Sequence, residues 1–125
     1  MENINQKKIQ QRALDKAYKH IIKQGAPSRA ALGRCRYRNE NGLGCAFAPM
    51  IKEYSPTLEG RAAGNVVEYY SRNLFKWARD LNISFAFDLQ RCHDRVAVAN
   101  PENFIRDFKV EIAKLAEKYG LEMPE

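Results

Sequence analysis

The sequence has no long apolar run. Nothing in it approaches the ~20 consecutive apolar residues of a membrane-spanning helix, and the opening Met1-Glu2-Asn3-Ile4-Asn5-Gln6-Lys7-Lys8 has no apolar core of a signal peptide. The expectation is a cytoplasmic protein. Cysteine is scarce: the three, Cys35, Cys45 and Cys92, cannot all pair within one chain, which fits a reducing compartment. Histidine is scarcer still, with only His20 and His93, too few for a metal phosphohydrolase. There is no Cys-x-x-Cys, no glycine-rich phosphate loop, no Gly-x-Ser-x-Gly elbow and no His-Glu-x-x-His pair. Signatures of helix-turn-helix, zinc-finger and RNA-recognition modules are absent too. So are internal repeats and low-complexity tracts. What remains is a chain of 125 residues, 45% hydrophobic and 29% charged, which is the composition of one globular domain covering 1–125.

Positive charge is abundant but uneven. Residues 1–45 hold ten Lys and Arg against Glu2, Asp15 and Glu40, a net +7, while residues 46–125 hold eleven basic and twelve acidic residues, a net −1. An acidic mimic of DNA is therefore excluded, and an electrostatic partner would be engaged from the first third of the chain. Lysines on an exposed helix face ordinarily serve solubility, and residues 7–23 have that bland reading available.

Hydrophobic periodicity predicts a first, basic amphipathic helix over residues 4–24, within a leading unit 1–25. Leu14, Ala17, Tyr18, Ile21 and Ile22 recur at three and four residues, and Gly25 and Pro27 stop the helix. Residues 33–51 read as a β-hairpin. Gly33-Arg-Cys-Arg-Tyr-Arg38 alternates, Asn41-Gly42 is a strong turn signal, and Cys45-Ala-Phe-Ala-Pro-Met-Ile51 resumes an apolar run. Alternation would set Arg34, Arg36 and Arg38 on one face and Cys35 and Tyr37 on the other. A two-residue turn puts Phe47 with the arginines and the two cysteines on opposite faces; one extra loop residue brings the cysteines together, and the sequence leaves both registers open. Helices are predicted over 66–80, from Ser84 to about Arg95, and from Asn100-Pro101 to Gly120, making 66–119 the helical part. The expected fold is α+β, mainly α: about four helices packed around one small antiparallel hairpin.

Cys35-x-Tyr37-Arg38, a glycine-containing turn, Cys45-Ala46, an apolar run ending in Ile51, Tyr54-x-Pro56-x-x-Glu59-Gly60, Leu89-Gln90-x-x-His93-Asp94 and Tyr119-Gly120-Leu121 follow one another in the chain. In this order the pattern resembles a family of small, uncharacterised proteins of tailed phages and prophages. The chain departs from it at Ala48-Pro-Met-Ile51 and in a longer, more aromatic stretch over 62–83. The resemblance implies phage origin and fold, and brings no activity with it.

Three chemistries compete for the polar residues. Cys35, Cys45, Cys92 and His93 are the available soft ligands for zinc, but neighbouring Cys92 and His93 point about 100° apart on a helix. Free cysteines also serve as small core residues. His93 and Asp94, with Gln90 and Tyr54, are the candidates for acid–base work in a small hydrolase or transferase. On a helix, though, Gln90 shares a face with Asp94 and with His93, which equally suits a structural polar cluster. Arg34, Arg36 and Arg38, extended by Arg29, are the candidates for binding phosphate or another anion. Arginines along an edge strand also prevent sheet aggregation.

The sequence favours binding over catalysis, with no cofactor. It reads as a basic phage accessory protein in the bacterial host cytoplasm. Its anionic partner would be nucleic acid, a nucleotide or an acidic host-protein surface, and its effect the inhibition of a host defence or host machine. A hydrolase or transferase using His93 and its neighbours is the alternative. So is a virion or assembly component, in which Tyr69, Tyr70, Phe75 and Trp77 would form a homodimer interface.

Overall fold

The computed structural model describes residues 4–28, 36–39, 41–97 and 101–124. Four α-helices dominate: α1 (Ile4–Gln24), α2 (Ala63–Tyr69), α3 (Ile83–Ala97) and α4 (Phe104–Tyr119). Single 3₁₀ turns at Ala48–Met50, Pro56–Leu58, Ser71–Asn73, Lys76–Ala78 and Pro101–Asn103 punctuate the connections. None of the helices described is long and apolar enough to cross a membrane.

α1 buries Ala13, Leu14, Ala17 and Ile21, one stripe at helical spacing, with Lys8, Arg12, Lys16, Lys19 and Lys23 exposed. Gly25, at φ 74°, takes the left-handed conformation that ends it and donates to the Ile21 carbonyl at 2.8 Å. α3 is central. It packs against α2, α4 and α1 and buries Phe85, Ala86, Leu89, Cys92, His93 and Val96. Its start is capped by Asn82 rather than by the predicted Ser84, since the Asn82 side chain accepts the Phe85 N–H at 2.9 Å. Gln6 of α1 ties this cap down, accepting the Asn82 N–H and donating to the Asp80 carbonyl, both at 2.8 Å. α4 buries Phe104, Phe108, Ile112 and Leu115, and Gly120, at φ 66°, closes it. Asp88 joins the two helices, accepting from Lys118 at 2.9 Å and Tyr119 at 2.7 Å. Burial of each large core side chain contributes ~1.5–3 kcal/mol. Four phenylalanines, Phe47, Phe85, Phe104 and Phe108, are the largest of the fully buried residues.

The structure corrects the expected α+β class. It is all-helical among the described residues, without strand or hairpin, and the nearest approach to a sheet is one isolated antiparallel bridge between Ile51 and Leu74. The two-residue turn expected at Asn41-Gly42 does not form, since Asn41 is not at positive φ. The chain instead turns one step earlier, with Gly42 N–H on the Asn39 carbonyl at 3.0 Å, Asn39 N–H on the Leu43 carbonyl at 2.9 Å and only Gly42 left-handed, at φ 77°. Its flanks do not pair, because side chains take their hydrogen-bonding groups. The Tyr37 and Arg38 N–H groups bind the Glu59 carboxylate, and beyond Cys45 the chain coils into a 3₁₀ turn at Pro49. Phe47, placed beside the arginines by the hairpin reading, lies in the core edge-on to Tyr37 with ring centroids 6.2 Å apart. The predicted helix over 66–80 is likewise shorter, ending at Tyr69 and giving way to two 3₁₀ turns.

Candidate anion-binding site

Residues 26–62 contain no α-helix or strand among those described, so side chains must satisfy much of the backbone. Three groups do so. From α3, Gln90 Oε1 accepts the Phe47 N–H at 3.1 Å and His93 Nε2 accepts the Ser28 N–H at 3.0 Å. An Nε2 that accepts must be unprotonated, so the His93 proton sits on Nδ1, 3.0 Å from Asp94 Oδ1. Gln90 donates to the same Asp94 oxygen at 2.8 Å. The two nitrogens of His93 and the amide of Gln90 are thus committed to holding the chain.

From α1, Gln24 accepts the Gly44 N–H at 2.8 Å and donates to the carbonyls of Ala26 and Gly44. His20 Nε2 lies 3.1 Å from the Gly44 carbonyl. Partial burial lowers the His20 pKa below its ordinary value. The bond to Gly44 opposes that shift, and the nearby His93 adds to it. Gly44 is required at this crossing, since a Cβ there would meet Ala48 Cβ at 2.7 Å and the Tyr37 carbonyl at 2.9 Å.

The third group is Glu59. Its carboxylate accepts the Tyr37 N–H at 3.0 Å, the Arg38 N–H at 3.1 Å and the Tyr54 hydroxyl at 2.6 Å. Burial, then the bond to Glu59, pushes the Tyr54 hydroxyl up to about 12, with Arg36 and Arg38 both close enough to pull the other way.

Between the groups lies a cleft of about 270 Å³ whose walls include His20, Tyr37, Arg38, Pro49, Ile51 and Tyr54. Arg38 lies over the Tyr54 ring at the cleft rim, its guanidinium carbon 4.4 Å from the ring centroid. Arg36 and Arg38 are both exposed, and among the described residues neither has a carboxylate within ion-pair distance. The cleft therefore offers an aromatic wall with the unneutralised Arg38 guanidinium at its rim, an arrangement that can take a phosphate or carboxylate with an apolar body behind it.

Of the residues singled out from sequence, Gln90, His93 and Asp94 come together, but Tyr54 belongs to the Glu59 group instead. Arg29, Arg34 and Cys35 lie outside the described residues. Cys45 and Cys92 are buried, and burial raises both thiol pKa values, that of Cys92 to about 12. Among the described residues no group of three or more His, Cys, Asp or Glu is placed to hold a metal ion. Tyr69 is 71% exposed and Phe75 39%, whereas Tyr70 lies under Arg61 at 4.8 Å and Trp77 under Arg12 at 4.4 Å. Sequence reasoning missed the roles of His20, Gln24 and Glu59. The first two had a signal: they stand four apart at the end of a predicted helix, beside its lysine row and next to a turn-rich segment.

Comparison with protein-family models, curated protein sequences and solved structures finds no match.

Proposed function

We propose that this chain is a phage-encoded accessory protein that works by binding an anionic partner at the Arg36–Arg38 cleft. Candidate partners are a nucleic acid, a nucleotide or an acidic surface of a host protein. The observation that carries the reading is the pair of exposed arginines without carboxylate partners, one of them lying on Tyr54 at the cleft rim. Phage origin rests on the order of motifs in the sequence. Such a protein would act in the host cytoplasm by occupying a surface that a host defence or host machine needs. The hydrolase alternative is disfavoured because Gln90 and His93 already serve backbone groups, and a general base needs a free lone pair facing substrate.

The test is Arg36→Glu combined with Arg38→Glu, assayed by fluorescence anisotropy against labelled oligonucleotide and labelled ATP at low salt. Binding should be abolished while the circular dichroism spectrum is retained. Unchanged binding of both probes would overturn the proposal.

A further inference from the structure

α1 carries a second, longer basic feature on the side away from its buried stripe. Lys8, Arg12, Lys16, Lys19 and Lys23 succeed one another at intervals of four, four, three and four residues, and all five are exposed. At ~100° per residue they fall within an arc of about 80°, and at ~1.5 Å per residue they span about 22 Å. The buried residues Ala13, Leu14, Ala17 and Ile21 point the opposite way. Among the described residues none of the five cations has an ion-pair partner. Asp15 borders the row, where its Oδ1 accepts from Gln11 at 3.0 Å.

A face that served solubility alone would alternate acids and bases, because like charges at i, i+4 destabilise a helix and opposite charges stabilise it. Here three successive i, i+4 or i, i+3 steps join cation to cation before Lys23 adds a fourth. Trp77 adds an independent observation. Its ring lies under Arg12 at 4.4 Å and near the Lys16 ammonium at 5.9 Å, so the indole orients two cations of the row without neutralising them. Arg38 on Tyr54 and Arg61 on Tyr70 repeat that pairing. Cations seated on aromatic faces suit phosphodiester backbones and their bases better than acidic polypeptides, which offer nothing to stack.

We infer that the outer face of α1, from Lys8 to Lys23 with Trp77 beside it, is a track for the backbone of a nucleic acid, engaged without regard to sequence. This rests on the anionic-partner reading and narrows it to an extended phosphodiester polymer. A row of ~22 Å covers about six phosphates per strand of a stacked duplex, at ~3.4 Å of helix axis each, and about half as many of a fully extended strand. His20, one turn beyond Lys16 and beside the row, lines the Arg38 cleft.

The experiment uses the full chain and a 20-nucleotide thymidine oligomer, with a duplex of equal length in parallel. Trp77 is the only tryptophan, so its emission reports binding at the row itself. Emission should change in step with anisotropy as oligomer is added. Lys8→Gln, Lys16→Gln, Lys19→Gln and Lys23→Gln together should weaken binding at least tenfold. They should also reduce the slope of log K against log salt by about 2–3, at ~0.7 for each phosphate of a single strand that is no longer neutralised. The variant should melt no lower than the parent, because like-charge neighbours have been removed. Lys109→Gln with Lys114→Gln on α4 should change nothing. An unmoved Trp77 emission at saturation, or an unchanged salt slope, would overturn the track. If binding then depended only on Arg36 and Arg38, the cleft reading would survive without it. Absence of binding to oligomer and ATP alike would remove both. Equal binding of polyglutamate, matched for charge, would assign the row to acidic polypeptides and reject the nucleic-acid track.

Discussion

The backbone N–H of Ser28 donates to Nε2 of His93, 3.0 Å away and 65 residues later in the chain. The bond is buried, and it fixes both the position of the Ser28 loop and the tautomer of the imidazole. Ser28 in turn places its hydroxyl 2.6 Å from the Arg36 carbonyl, and Arg36 N–H returns to the Ser28 carbonyl at 3.2 Å. A helix in the second half of the chain thereby sets the position of a candidate binding residue in the first.

Replacing His93 with Ala should therefore act on stability before anything else. The Ser28 N–H loses its acceptor in a buried place, at a cost of about 1–3 kcal/mol, with a further cavity cost from the missing ring. A lowered thermal midpoint and faster hydrogen exchange at the Ser28 amide are expected. Normal stability with loss of a hydrolytic activity would instead favour the catalytic alternative.

Glu59→Gln should be milder than Glu59→Ala, but not neutral. The amide keeps one acceptor oxygen where the carboxylate used two, so at least one of Tyr37 N–H, Arg38 N–H and Tyr54 O–H loses its partner. A loss of about 1–2 kcal/mol is expected for Gln, and more for Ala. Amide exchange should rise first at Tyr37 and Arg38, and anion affinity should fall as Arg38 loses its fixed place on Tyr54.

His20 makes stability depend on pH. Its folded-state pKa is lowered, mainly by burial, so the unfolded chain binds its proton more readily. This contribution is fully present above the ordinary histidine value of about 6.5 and is lost as pH falls below it towards the folded-state pKa. Denaturant midpoints from pH 7.5 down to 5 should fall more steeply in the parent chain than in His20→Asn. Equal slopes would show that His20 does not contribute.

Cys45 and Cys92 should resist alkylation in the native state. Both are buried with raised thiol pKa values, so little thiolate is present at neutral pH. Peptide mapping after iodoacetamide should find these two labelled only in denaturant. Rapid native labelling of Cys45 would mean that the 44–50 segment opens readily.

Several local features were legible in the sequence. The stripe of α1 and its end at Gly25, the left-handed glycine at Gly42 and the close of α4 at Gly120 all depend on neighbours within a few residues. Outward Arg36 and Arg38 around an inward Tyr37 were legible too, although the reason given for them, a strand, was not the right one. The grouping of Gln90, His93 and Asp94 could be anticipated from helical spacing, but not what they hold.

What the sequence determined by itself was the three long amphipathic helices α1, α3 and α4 and the concentration of positive charge in the first third of the chain, because periodicity and charge are local properties. Whether residues 36–51 would pair as strands was decided by the tertiary structure. Their backbone groups had two sets of partners available, each other or the side chains of Glu59, Gln24 and Gln90. The second set won because the helices and the 56–61 turn bring those side chains within hydrogen-bonding distance. The same packing sets Arg38 on Tyr54 and Arg12 on Trp77, turning a count of basic residues into two surfaces that can be tested separately.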